Sequence, residues 1–336
     1  MQIQTNNTRL HNTDLLKGLA ILFVVITHFS WTDDQRLWLL FPFWIDMAVP
    51  IFMIVTGYLS AKSFSRRGLT GFVSPYKPRD LIRRWLRLIL PAIPIYIAQL
   101  IFQFVFMSRD NGIIWFLTSE FVPGSYYFHI MIQSVLLTPA IFWLVSKYNV
   151  KGLLACFIIN LCFEVLQTVF HLSPEIYRLC LLRYVFALGY GCYIFIGKGA
   201  RDKNTIISLA SSFIIGILYI LTFQYLGGVP IFTKQWTKTS MFVILYVAPL
   251  IALSFLKPDR LKCSVLERLG RASYDIYLVQ MFFYAYVSSK VYTMIGNPIV
   301  QMLASVFLCC GFGYVYHLLE NKLTNAIIHK MTQTAN

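Results

Sequence analysis

Long apolar stretches separated by short polar connections dominate the sequence. A transmembrane helix needs about 20 consecutive apolar residues, because each residue adds 1.5 Å across a hydrocarbon layer about 30 Å thick. Windows that meet this requirement lie at about residues 14–31, 41–61, 85–107, 126–146, 151–171, 177–197, 205–225, 239–256, 273–292 and 299–319. The pattern therefore predicts an all-α integral membrane protein, a bundle of about ten transmembrane helices.

The composition agrees with a membrane domain and excludes an ordinary soluble one. Of the 336 residues, 57% are hydrophobic and 13% are charged, and the mean hydropathy is +0.64. A net charge of +15 would indicate a nucleic-acid partner in a soluble protein. Here the positive-inside bias of cytoplasmic loops explains it, so we expect membrane lipids and no nucleic acid as partners.

Basic residues separate the connections into two classes. Lys and Arg are concentrated after the second, fourth, sixth and eighth windows, and most densely in the connection of residues 62–84. These connections are predicted to be cytoplasmic, and so are both chain termini. The polar N-terminus has no recognisable cleavage site, so the first helix is predicted to be retained. We expect one membrane domain over residues 1–336 with no appended soluble domain, and the seven cysteines show no metal-binding spacing.

The first span contains groups that hydrocarbon disfavours. It reads DLLKGLAILFVVITHF over residues 14–29 and includes Asp14, Lys17 and His28. Ionisable groups inside a membrane span mark a functional site by default. Eleven helical steps of 100° bring Lys17 and His28 to nearly the same face, about 16 Å apart along the axis. A cation near one end and an imidazole deep on one stripe are therefore predicted to face one site.

The predicted topology sorts the other unusual polar residues into two layers. The cytoplasmic layer holds Asp14, Lys17, Arg84, Arg87, Asp275 and Glu320, and the outer layer holds His28, Asp46, His129, Glu164 and Arg183. Charges at these depths should face the bundle interior or a wet cavity. The arrangement favours a protein that takes an anionic compound from the cytoplasm and carries out chemistry further out.

Five stretches of the chain form an ordered set of motifs: DLLKGLAILFVVITHF (14–29), VPIFMIVTGYL (49–59), RRWLRLILP (83–91), ASYDIYLVQ (272–280) and YHLLENKL (316–323). In this order they resemble motifs of the acyltransferase-3 family of membrane proteins. The first matches the family pattern of Arg or Lys, ten residues and then His. The chain departs from the commoner family residues at Lys17 (Arg), Thr56 (Ser), Gln280 (His) and Leu323 (Pro).

The resemblance implies an activity. Members of this family transfer acyl groups, most often acetyl, from cytoplasmic acyl-CoA to carbohydrates or other acceptors at or beyond the membrane. It implies an O-acetyltransferase of the bacterial inner membrane, with acyl-CoA as donor, no bound cofactor or metal, and a hydroxyl of a lipid-linked or cell-surface carbohydrate as acceptor. His28 would be the catalytic residue, since neutral imidazole suits proton removal from a hydroxyl near pH 7. Whether it acts as a base or carries the acyl group itself stays open.

Other residues receive roles with stated alternatives. Lys17, Arg84 and Arg87 are predicted to bind the CoA phosphates, although basic residues flanking a cytoplasmic helix end need no such role. Possible acceptor-binding or orienting residues are Asp46, His129, Glu164, Arg183, Tyr277 and Gln280. A structural ion network or simple packing is the alternative for each. Gly57, Gly189 and Gly191 are interpreted as close helix contacts.

Two other classes of protein remain open from the sequence. A transporter or flippase of a polysaccharide or lipid-linked saccharide would also bury charges among ten spans, although we detect no internal repeat. A structural membrane scaffold would tolerate replacement of Lys17 and His28. Loss of acylation with normal glycan export in a His28→Ala protein would favour the enzyme.

Overall fold

The computed structural model describes residues 11–106, 124–196, 203–228, 241–256 and 263–333. Regular structure in these ranges is helical, which confirms the all-α class. The α-helices are α1 His11–Thr27, α2 Asp33–Trp38, α3 Ala48–Arg66, α4 Pro78–Phe106, α5 Tyr126–Tyr148, α6 Val150–Val169, α7 Pro174–Leu179, α8 Val185–Ile196, α9 Lys203–Ile220, α10 Met241–Leu256, α11 Ser264–Arg271, α12 Ser273–Phe282, α13 Ser288–Met294 and α14 Pro298–Gln333.

Six helical segments in the described ranges are long and apolar enough to cross a membrane. They are Phe41–Arg66, Pro78–Val105, Tyr126–Tyr148, Val150–Val169, Ile206–Tyr225 and Pro298–Met331. Leu181–Ile196 and Met241–Phe255 are apolar but shorter. The bundle is thus consistent with a multi-pass membrane protein, while the count of ten spans and the cytoplasmic position of the termini stay predictions. Both chain ends, residues 1–10 and 334–336, lie outside the described residues.

One predicted span is not a single helix. The window 177–197 contains the end of α7, an extended residue at Cys180, a 3₁₀ turn over Leu181–Tyr184 and then α8. Backbone groups freed inside a membrane must find other partners. Gln133 of α5 supplies them: its Nε2 donates to the Leu179 carbonyl at 2.6 Å, and its Oε1 accepts from the Leu181 amide at 3.0 Å.

The first and ninth spans also differ from their predicted windows. α1 ends at Thr27, so His28 lies in the turn that follows the helix rather than within it. The ninth window is α12, a π-helical segment over Phe283–Val287, and then α13. π-Helical turns are frequent at functional sites.

Helix α4 shows how the bundle is oriented toward lipid. Ile93, Ile97 and Ile101 recur at i, i+4 and i+8 and are 43 to 53% exposed. Ala92 and Tyr96, on the opposite side, are buried. An apolar exposed stripe and a buried opposite face are expected where hydrocarbon surrounds the protein.

Close helix contacts are made at glycines. A Cβ atom at Gly57 would lie 2.1 Å from the Leu188 carbonyl oxygen, and one at Gly189 would lie 2.9 Å from the Cys156 sulfur. One at Gly191 would overlap the Ile54 carbonyl oxygen. The prediction that these three glycines are close contacts is confirmed, and they pack α8 against α3 and α6.

Helix α1 lies at the centre of the described bundle. It contacts α3, α11, α12 and α14, and Ala20, Ile21 and Val25 in its middle are fully buried. A Cβ at Gly18 would lie 2.1 Å from the Leu266 carbonyl oxygen of α11. This contact brings the short helix α11, which ends at Arg271, directly against the part of α1 that carries Lys17.

Candidate active site

A cavity of about 500 Å³ follows one side of α1. Lys17, Ile21, Val24, Thr27 and His28 line it from α1. These positions recur at helical spacing, so the polar residues at the two ends share one face with the apolar residues between them. The common face predicted for Lys17 and His28 is therefore present, with a continuous space between them.

The ends of the cavity are named by the predicted topology, in which the end at Lys17 is the inner one and the end at His28 the outer one. The inner end is cationic. Lys17, Arg87 and Arg271 line it from three different helices. Lys17 Nζ lies 3.0 Å from Asp14 Oδ1, one turn earlier on α1. The guanidinium groups of Arg87 and Arg271 make no hydrogen bond or ion pair with the described residues. Two cations without a counter-charge beside Lys17 form a site suited to an anion.

The outer end of the cavity is formed by His28 and an ion pair. Arg36 and Asp46 both line it, and Arg36 Nη2 lies 2.5 Å from Asp46 Oδ1. The two side chains are 14% and 7% exposed. Arg36 also donates to Thr27 Oγ1 at 3.3 Å, and its guanidinium lies over the Phe41 ring. Asp46 is therefore held by a specific cation at the wall of the cavity.

The hydrogen bonding of His28 defines which ring nitrogen can act on a substrate. Nδ1 lies 2.7 Å from the Val24 carbonyl oxygen, which only accepts, so Nδ1 carries a proton. In a neutral imidazole Nε2 then has the free lone pair. The ring packs beside that of Tyr284, with centroids 5.8 Å apart, and the Tyr284 hydroxyl donates to the Val25 carbonyl. The π-helical segment after α12 thus supports the imidazole.

The start of α5 closes on the other side of His28. Gly124 has φ +91°, and a Cβ there would lie 3.2 Å from His28 Nε2 and 3.6 Å from Gln280 Nε2. Tyr277 lines the cavity and its hydroxyl donates to the Gly124 carbonyl at 2.9 Å. Only glycine combines this backbone conformation with such a close approach to the imidazole.

Several sequence-predicted residues do not line this cavity. Arg84 donates to the Pro75 carbonyl at 2.8 Å and lies over the Phe64 ring, and Gln280 is fully buried behind Gly124. His129 Nδ1 lies 3.3 Å from the Ser125 carbonyl. Of the predicted set, the cavity joins His28, Lys17, Arg87, Asp46 and Tyr277.

Glu164 and Arg183 belong to the broken span instead. Both are buried, at 0% and 4% exposure. The Tyr177 hydroxyl donates to Glu164 Oε1 at 3.1 Å, and the Arg183 guanidinium lies over the rings of Tyr177 and Tyr184. Their placement around residues 177–184 agrees with the structural alternative given for them.

Comparison with known proteins identifies the family. The acyltransferase domain model of the acyltransferase-3 family matches residues 10–318, nearly the whole chain. The chain belongs to the acyltransferase-3 family. No curated protein and no solved structure matches it.

Sequence reasoning missed several residues that line the cavity. Arg36 and Arg271 line the cavity, as do Tyr126 and Tyr127 at the start of α5. Both arginines lie in connections between the predicted spans. The signal available in the sequence was the single basic residue, Arg36, in the first outer connection, and the glycine beside Arg271.

The acyltransferase also has a second polar cluster, between α12 and α14. Asp275, His317 and Glu320 offer ligand atoms within 4.8 Å of one another, and His317 Nδ1 lies 2.6 Å from Asp275 Oδ2. Two carboxylates and an imidazole are a donor set that a divalent metal ion accepts. Short spacings between cysteine and histidine in the sequence do not reveal ligands that come from two distant helices. That the protein binds no metal stays a prediction.

Proposed function

We propose that this acyltransferase transfers a short acyl group, acetyl first among them, from cytoplasmic acyl-CoA to a carbohydrate hydroxyl. The observation that carries the proposal is the single cavity that joins a cationic inner end to His28. We further propose that the protein lies in the bacterial inner membrane and that the acceptor is a lipid-linked or cell-surface saccharide. The family membership supports acyl transfer. The cavity supports a donor that binds at the cationic inner end and presents its acyl group to His28.

The inner cations fit the donor. CoA carries several phosphate groups at one end and its thioester at the other, joined by a long flexible arm. Lys17, Arg87 and Arg271 would hold the phosphates through charge-assisted hydrogen bonds. The span of about 16 Å from Lys17 to His28 along α1 then leaves the arm to run past Val24, Val49 and Phe52 to the imidazole.

His28 would act as a general base. Its Nε2 takes the proton of the acceptor hydroxyl while that oxygen attacks the thioester carbonyl carbon. As the carbon–sulfur bond breaks, the imidazolium returns the proton to the departing thiolate, which leaves as free CoA. The hydrogen bond from Nδ1 to the Val24 carbonyl keeps the ring in the tautomer that this step needs.

The deciding experiment follows labelled acyl groups. Purified protein in nanodiscs is given radiolabelled acetyl-CoA and a glycolipid extract of the native host membranes. We expect label in saccharide with the wild type, and a loss of at least about 100-fold in kcat with His28→Ala, in the range general bases contribute. A matched control is His129→Ala, since His129 does not line the cavity. Unaltered transfer by His28→Ala would overturn the proposed role of His28, and no transfer by wild type would overturn the activity.

The transporter alternative has one observation in its favour. Discontinuous helices such as α7 and α8 are typical of transporter binding sites. Export of unmodified glycan that depends on His28, with no acyl label in any product, would support that alternative and contradict acyl transfer.

A further inference from the structure

Three glutamines with unsatisfied side-chain amides lie on α4 and α12. Gln99 and Gln280 are 0% exposed and Gln103 is 2% exposed. Neither amide atom of Gln99 or Gln280 has a hydrogen-bond partner among the described residues, and Oε1 of Gln103 lacks one as well. Burying an amide without a partner costs free energy that a bound polar ligand would recover.

The two glutamines of α4 share the buried face of that helix. At 100° per residue, Ala92, Tyr96, Gln99 and Gln103 fall within about 60° of one another. The exposed isoleucines at 93, 97 and 101 lie on the opposite side. The amides therefore face the protein interior, and lipid is not their neighbour.

This face of α4 is directed at the space between α5 and α12. Tyr96 packs against Phe128 of α5 with ring centroids 5.4 Å apart, and Phe102 packs against Phe282 of α12 at 5.1 Å. Gln99 lies between Tyr96 and Phe102 along the helix. Gln280 approaches the same junction from α12, with its Nε2 3.6 Å from the Cβ position of Gly124, the point that lies 3.2 Å from His28 Nε2.

We propose that Gln99, Gln103 and Gln280 bind hydroxyl groups of the acceptor saccharide beside His28. The inference rests on the proposed function, since it places the acceptor of that reaction. A primary amide offers two donors and an acceptor with no net charge, which matches a neutral ligand rich in hydroxyls. The three glutamines do not line the cavity itself, whereas the cations proposed to bind the anionic donor do. The two substrates are thus recognised by different chemistry at different places.

The test replaces each glutamine by methionine, which keeps an unbranched chain of similar length without the amide. The matched control is Gln133→Met, since both amide groups of Gln133 already bond to the backbone at the break between α7 and α8. Each protein is assayed in nanodiscs for label transfer from acetyl-CoA to the host glycolipid extract. In separate samples that contain no acyl-CoA, the melting temperature of each protein is measured in the presence and in the absence of the glycolipid extract. Leucine variants replace any methionine variant that does not fold.

We expect Gln99→Met and Gln280→Met each to raise the KM for glycolipid about tenfold, since a ligand hydroxyl would lose its partner. The KM for acetyl-CoA should be unchanged, and the melting temperature of the free protein should be equal or higher, because an unpaired buried amide has been removed. Gln133→Met should show the reverse: a lower melting temperature and an unchanged KM for glycolipid.

The outcomes separate this inference from the proposed function. Wild-type transfer with an unchanged glycolipid KM in all three variants would overturn the glutamine site and leave acyl transfer standing. If wild type transfers no label but glycolipid raises its melting temperature in a glutamine-dependent way, the saccharide site stands and acyl transfer fails. Absence of both label and temperature shift in the wild type would overturn both.

Discussion

Arg84 and Arg87 are one helical turn apart on α4, yet they differ in what they contact. Arg84 is occupied by the Pro75 carbonyl and the Phe64 ring. Arg87 lines the cavity and has no hydrogen-bond or ion-pair partner among the residues that the structure describes. A cation already engaged with protein groups is a poor ligand for phosphate, whereas a free one at a cavity end is available. The RRWLR stretch therefore contains one arginine held by protein contacts and one that is available to the proposed phosphate ligand.

Substitution by glutamine should separate these two roles. Arg87→Gln is expected to raise the KM for acetyl-CoA about tenfold, because one charge-assisted hydrogen bond to phosphate is lost. Arg84→Gln should leave that KM unchanged and lower the melting temperature, because the contacts with Pro75 and Phe64 are lost. Steady-state kinetics and thermal unfolding of both proteins measure the difference, and equal KM values for the two variants would contradict the assignment.

The residues found from the sequence are those whose relation is local. The eleven-residue interval between Lys17 and His28 fixes a common face by helical geometry alone. Arg36 and Arg271 reach the cavity through packing between elements that are distant in the chain, so the spacing of residues in the sequence does not reveal them. Gln280 was named from the sequence, but Gln99 and Gln103 were missed because two amides leave the average hydropathy of the window 85–107 high.

At the scale of helices, the crossing of α1 and α11 positions the inner end of the site. A Cβ at Gly270 would overlap the Asp14 carbonyl oxygen, so the two backbones touch. Arg271 follows Gly270 directly and lies beside the cavity that Lys17 lines. The close backbone contact between α1 and α11 therefore brings Arg271, which lies between two predicted spans, to the same end of the cavity as Lys17 and Arg87.

An added methyl group at this crossing should be costly. Gly270→Ala is expected to destabilise the protein by about 1–3 kcal/mol, the usual range for overpacking, and to raise the KM for acetyl-CoA by displacing Arg271. Gly311→Ala is the control, since a Cβ there meets nothing within 4 Å and alanine favours a helix. Thermal unfolding of both variants tests this, and a neutral Gly270→Ala would show that the helices can separate without loss.

The break between α7 and α8 shows a limit of hydropathy windows. Residues 177–197 contain no proline and are apolar enough to indicate one helix. The interruption at Cys180 is possible because Gln133, on a different helix, replaces the missing backbone partners. Since that compensation comes from tertiary packing, the window alone gives no sign of it.

At the scale of the whole molecule, the described helices form one bundle around α1, and the class of fold was predictable from length and hydropathy. The orientation of the protein in the membrane does not follow from length and hydropathy, because it is predicted from the distribution of Lys and Arg between connections. The connection before α11 is predicted to be cytoplasmic, and it contains the exposed Cys263. The thiol of Cys263 can therefore report on which side of the membrane this connection lies.

A membrane-impermeant maleimide should label Cys263 only after intact cells are opened. Cys162, exposed on the apolar helix α6, should resist labelling in both conditions, because a membrane-impermeant reagent does not reach a thiol that faces lipid. A Cys263→Ser, Asp34→Cys protein serves as the outer control and should be labelled in intact cells. Labelling of Cys263 in intact cells would reverse the assigned orientation of the whole bundle.

The Arg36–Asp46 pair at the outer end of the cavity has a consequence for the cell as a whole. A space that reaches from a cationic inner end toward the far side of a membrane is also a potential leak for hydronium ions. A fixed guanidinium in the wall of that space repels such ions, and the carboxylate beside it keeps that guanidinium in place. We expect the pair that borders the proposed site of acyl transfer also to help preserve the proton gradient across the membrane.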